Sequence, residues 1–223
     1  MKGIVLSLGV PKRAKRRFPR LPAPDFRYIF RRYGITLIFV LLILAGMVLG
    51  ALYSRSADTK ALESLDFLFT TNLGARLSQS AIGTFCACFA SDFIFIVCAF
   101  LFGTAPWGLP FEFASVMFKG FGIGVTAAYL YISHGLSGVG FYLLVLLPGT
   151  FLFCMALAVF SASAFEFSKR MFVMTACRAV PLSSAREGLL RLGSKFLTAL
   201  ILTFAASLLD TLLWSMFAGA FKF

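Results

Sequence analysis

Five apolar stretches of about 20 residues constrain this chain more than anything else in it. They run roughly over 34–53, 78–102, 111–132, 139–160 and 196–220. Twenty apolar residues in a helix match the thickness of a bilayer's hydrocarbon core. In lipid every backbone polar group must find its partner within the chain, so such stretches become helices. The 60% hydrophobic content, 28 phenylalanines and only 13% charged residues exceed what a soluble domain of 223 residues can hide. The mean hydropathy is +0.90. The expected fold is therefore an all-α polytopic membrane helical bundle of about five transmembrane helices.

The net charge of +12 would point a soluble chain towards nucleic acid. Here it follows topology instead. Residues 1–33 form a basic arm broken by Pro11, Pro19, Pro22 and Pro24, and they hold Lys2, Lys12, Arg13, Lys15, Arg16, Arg17, Arg20, Arg27, Arg31 and Arg32. The basic cluster follows the short apolar run at the start, whereas a signal peptide carries its charge in front. The prolines disfavour a long helix across the arm. A second basic, amphipathic segment, 166–195, joins the last two spans and carries Lys169, Arg170, Arg178, Arg186, Arg191 and Lys195. Against these sixteen cations, Arg55, Lys60, Arg76 and Lys222 occupy the other side. The asymmetry puts the amino terminus in the cytoplasm and, after five spans, the carboxyl terminus outside. Membrane lipid, and not nucleic acid, is the expected partner of the basic flanks.

Between the first two spans, segment 54–77 is more polar. Its Leu62, Leu65, Phe69 and Leu73 recur at helical spacing opposite Glu63 and Asp66, which predicts an amphipathic helix on the outer surface, a possible partner surface. Gly103 to Pro110, with two prolines and two glycines around Trp107, reads as a tight interfacial turn, one that can lead into a half-helix.

The third span contains Met117 to Leu130, in which Gly120, Gly124 and Ala128 fall at i, i+4 and i+8, with Gly122 between them. Stripes of small residues let helix backbones approach closely in a membrane. Gly46 and Gly50 in the first span are a further, less specific example. Three charged residues lie deep within the spans: Asp92, Lys119 and Asp210. Charges at that depth are expensive, so they should face the bundle interior and be paired or neutral. Antiparallel neighbours across a short turn predict that Lys119 meets Asp92; the alternative leaves Lys119 snorkelling and Asp92 protonated or paired with Asp210. Pro148-Gly149 should kink the fourth span.

No catalytic, metal or cofactor constellation emerges, and none is expected. Gly135-Leu-Ser-Gly138 matches the Gly-x-Ser-Gly of intramembrane serine proteases, but the sole histidine, His134, adjoins the serine in the same turn. A base must reach the nucleophile from another element. Neither Asp92 nor Asp210 sits in a Gly-x-Gly-Asp setting, and HExxH, Walker and zinc spacings are missing. Cys86-x-Cys88 would face two directions, and the five cysteines read as buried small apolar residues.

The order of features resembles the stage II sporulation protein M family over roughly residues 28–216. The resemblance rests on Gly108-Leu-Pro110, Lys119-Gly-Phe-x-x-Gly124 and Leu147-Pro148, together with the first span and the amphipathic outer segment. Many members of the wider family carry His-Gly and Glu-Leu-Pro where this chain has Gly-Thr and a phenylalanine-rich run, so roles of those polar residues do not carry over. The resemblance implies a non-enzymatic scaffold of the cytoplasmic membrane in engulfment during endospore formation. Such a scaffold anchors and localises two cell-wall hydrolases on the outer face, an amidase/endopeptidase and a lytic transglycosylase. Oligomerisation is a further possibility. The competing class is a transporter or permease subunit with a site at the Lys119/Asp92 glycine-rich seam, since interrupted spans and charges at depth also mark transport sites.

Overall fold

In the computed structural model, the described residues are 26–56, 80–177 and 182–217. They form α1 (Phe26–Ser56), α2 (Ala81–Thr104), α3 (Leu109–Phe141), a π-helical turn (Tyr142–Leu146), α4 (Leu147–Cys177) and α5 (Leu182–Phe217). The result is a helical membrane bundle. The outer segment 57–79, with Leu62, Leu65, Phe69 and Leu73, lies outside the described residues, as does most of the basic arm.

Among the described residues four helical runs are long and apolar enough to cross a membrane, but one of them, Leu109–Thr175, is 67 residues long. At 1.5 Å per residue a straight rod of that length would measure about 100 Å, three times the hydrocarbon core. It is not straight. Gly135 has φ 58° and ψ −136°, a conformation closed to side-chain-bearing residues. A Cβ on Gly138 would strike the carbonyl oxygen of Leu130, and the Lys119 ammonium lies 4.9 Å over the Phe153 ring. The chain therefore doubles back at Gly135, and the run divides into two antiparallel arms, each long enough to cross a membrane. The break between the third and fourth expected spans is a single-residue reversal.

Several boundaries differ from the sequence expectation. α1 starts at Phe26, so the last residues of the arm are helical; the prolines all lie before it. The basic segment 166–195 is not a separate element. Its described residues, 166–177 and 182–195, are the end of α4 and the beginning of α5, which are longer than a membrane crossing needs. The α2–α3 connection is tight as expected, with Gly108 N–H donating to the Ala105 carbonyl at 3.1 Å. It leads into a full span and not a half-helix, with Pro110 in the first turn of α3, where a missing N–H costs nothing. Pro148 stands directly after the π-helical turn, where the Leu147 N–H reaches back to the Tyr142 carbonyl. An extra residue in the turn is one of the recognised devices that bend a helix at proline.

The largest interface joins α1 to α3, and it is parallel. Cβ atoms on Gly46 and Gly50 would run into the backbones of Met117 and Phe121, and ones on Gly120 and Gly124 into those of Ile43 and Met47. The two glycine stripes thus mesh with each other. Phe39, fully buried, stacks on Phe113 at 5.3 Å and meets Phe165 edge-on at 6.1 Å, tying α4 to the same seam. Close to the Gly135 reversal a second cluster forms around Leu130, Phe141, Val145 and Trp214.

Candidate functional site: a polar column inside the bundle

The chemistry-bearing side chains within the spans lie at three levels. At the middle level, Lys119 Nζ on α3 donates to Asp92 Oδ1 on α2 at 2.7 Å. Their side chains are 8% and 17% exposed. Phe95 and Phe153 each place a ring 4.9 Å from the same ammonium. The lysine is therefore held by a carboxylate and flanked by two negative ring faces, a setting that offsets part of its desolvation. Lys119 does not snorkel, and Asp92 does not turn to Asp210.

One helical turn away from Asp92 along α2, the Cys88 thiol points to Asp210 Oδ2 on α5 at 3.9 Å. Gly149, beside Pro148, faces the same aspartate. A Cβ there would come within 2.7 Å of Asp210 Oδ1, so the glycine makes room for the carboxylate. Asp92 and Asp210 thus have different partners on different helices, and the arrangement is not a carboxylate dyad.

The third level was not apparent from the sequence. Glu112, two turns from Lys119 on the same face of α3, is 0% exposed, and neither carboxylate oxygen has a hydrogen-bond partner among the described residues. In sequence it reads as an ordinary first-turn acid at the membrane surface, favoured by the helix N-terminus. The available signal was its flanks: Pro110 fixes the helix start and Phe111 and Phe113 bracket it, so the turn dips inside the bundle. Gly103, which abuts Ala164, and Ser168, whose hydroxyl donates to the Ala105 carbonyl at 2.7 Å, clamp that turn to α4.

The glycines of the seam serve packing. Gly120 and Gly124 receive α1, and buried Gly122 offers its carbonyl to the Thr126 hydroxyl at 3.0 Å. All three are buried. The Gly135-Leu-Ser-Gly138 match lies at the reversal with Ser137 exposed. Cys88 is buried but Cys86 is exposed, which corrects the uniformly buried reading. Among the described residues no group of three His, Cys, Asp or Glu side chains is placed to hold a metal.

No curated protein and no solved structure matches the chain. A family model described as Stage II sporulation protein M matches residues 35–220, from the start of the first span to the end of the last. The matched region contains the α1/α3 glycine seam, the buried Lys119–Asp92 pair and the Pro148 turn, and on that extent the chain belongs to the stage II sporulation protein M family.

Proposed function

We propose that this protein is a non-enzymatic scaffold of the cell membrane that anchors and localises peptidoglycan hydrolases, an amidase/endopeptidase and a lytic transglycosylase, during sporulation engulfment. Family membership makes it a sporulation-related membrane protein; the finer role rests on how the bundle is packed. The observation that carries it is the interlocked α1/α3 seam beside the buried ion pair. The glycine stripe that could have bordered a substrate route is occupied by the α1 backbone, and aromatic rings flank the buried ion pair. Two helices interlocked in this way make a rigid mount. The segment between α1 and α2, with Leu62, Leu65, Phe69 and Leu73, is the proposed docking surface for the hydrolases. A permease subunit is the second reading, favoured only by the charges at depth.

An affinity tag on the amino terminus and purification in mild detergent distinguish the two. Co-purifying cell-wall hydrolases support the scaffold, and a cognate ATPase in their place supports the permease. Leu65→Ser with Phe69→Ser should reduce hydrolase recovery without changing the amount of membrane protein; undiminished recovery places the docking surface elsewhere.

A further inference from the structure

At the basic end of the bundle, α4 and α5 open a cleft of about 140 Å³ lined by Ser163, Glu166, Arg170, Arg191 and Lys195. Three cations face one carboxylate there. Among the described residues, none of the three is held in an ion pair, and Lys195 Nζ donates to the Ser163 hydroxyl at 2.8 Å. Gly188 on α5 faces the Phe167 ring on α4, which lets the two helices stay close below the basic side chains.

Directly adjoining this cleft is a groove of about 370 Å³ whose walls include Met155, Val159, Thr198 and Leu202. Ser163 and Lys195 belong to both. The groove runs along α4 away from the basic end and into the apolar span. The cleft stands level with the α2–α3 turn, because Gly103 meets Ala164 and Ala105 accepts from Ser168. Exposed Trp107 in that turn packs edge-on to Phe172 of α4 at 5.9 Å; tryptophan at such a level marks a membrane–water interface. A basic, hydroxyl-bearing cradle at the interface thus continues into an apolar channel.

We propose that the α4/α5 cleft is a binding site for one anionic phospholipid. Its phosphate is held by Arg170, Arg191 and Lys195 with the Ser163 hydroxyl, and an acyl chain lies in the groove beside Val159. Arginine suits this task because its fork of donors matches phosphate oxygens. Glu166 on the rim repels a second anion and limits the site to one headgroup. The proposal does not depend on the scaffold reading: it concerns the opposite end of the bundle from the hydrolase-docking segment.

The test is native mass spectrometry of the full-length protein in detergent, titrated in turn with phosphatidylglycerol, phosphatidylcholine and inorganic phosphate. Phosphatidylglycerol should be retained in preference to phosphatidylcholine. Each of R170Q, R191Q and K195Q should weaken it about fivefold, the worth of one cation near an anionic surface. K169Q, adjacent but outside the cleft, should leave retention unchanged and controls for general basicity. V159W fills the groove without touching a charge and should also lower retention. Equal retention of the two lipids, or indifference to the cleft substitutions, overturns the site. Inorganic phosphate displacing the lipid stoichiometrically, with V159W silent, makes it a site for free anions and overturns the lipid assignment. Because V159W and the single charge substitutions act on different parts of the cleft, misfolding of any one variant leaves the others decisive.

Discussion

Lys119 and Asp92 meet at 2.7 Å although 27 residues separate them, and this contact fixes the register of α3 against α2. A charge near the middle of a span costs about 3 kcal/mol on insertion scales, and removing one partner of a buried pair costs about 3–5 kcal/mol because the other is left uncompensated. Lys119→Met and Asp92→Asn should each lower the unfolding midpoint and the steady-state level, and the double substitution should restore most of both. Additive losses in the double variant would show that the two charges do not compensate each other.

The interlocked glycines predict a sharp positional contrast. Gly120→Ala and Gly124→Ala place a methyl group against the α1 backbone, and overpacking of this kind costs about 1–3 kcal/mol. Gly193→Ala in α5 meets open space and should gain up to about 1 kcal/mol from helix propensity. Thermal unfolding in one detergent compares all three; equal effects would contradict a close α1–α3 contact.

Glu112 makes the opposite kind of prediction, since here a polar group should be dispensable for stability. A buried polar group without a hydrogen bond costs about 1–3 kcal/mol judged by mutational data. Glu112→Met keeps the bulk and removes that cost, so the unfolding midpoint should rise. A fall would show that the carboxyl has a partner, and that its burial serves binding.

Gly135 has room around it but an unusual backbone. No atom lies within 4 Å of a Cβ built there, yet φ is +58°. Gly135→Ala should therefore cost about 1–3 kcal/mol through the backbone alone, whereas Ser137→Ala, two residues on and exposed, should be neutral. Differential scanning of the two variants separates conformation from contact.

Topology supplies the fifth test. With the long run doubling back at Gly135 into two arms, the chain should cross the membrane five times. Alkaline phosphatase fused after Phe223 should be active, and a cytoplasm-dependent reporter at the same place should be silent. The reverse pattern would remove one of the five passes.

Helix positions were legible because apolar length is a strong signal, and the Lys119–Asp92 contact was legible because few ionisable residues compete within the spans. Helix ends were not. Amphipathic continuation past the membrane follows helical periodicity as well as the span does, so α4 and α5 absorb the basic segment and α1 reaches back to Phe26. The partner of the Gly120/Gly124 stripe was also hidden. A stripe announces close approach but not by whom, and the shortness of the α2–α3 turn directs attention to α2, while the match is Gly46 and Gly50 on α1. Glu112 escaped notice because its type and its place in a first turn agree with a surface role, and its burial is decided by neighbouring helices.

The α1/α3 seam has a consequence for biogenesis. α1 has no appreciable interface with α2, its successor in the chain, and its extensive one is with α3. During synthesis α1 therefore enters the bilayer with its glycine face uncovered and stays so while α2 is translated and threaded in the opposite direction. Only when α3 leaves the ribosome, some 70 residues after α1 (Gly46 and Gly50 finding Gly120 and Gly124), does α1 acquire its mate. Among the described helices α1 thus waits for a mate that the insertion machinery or the lipid must stand in for, and the order of assembly differs from the order of synthesis.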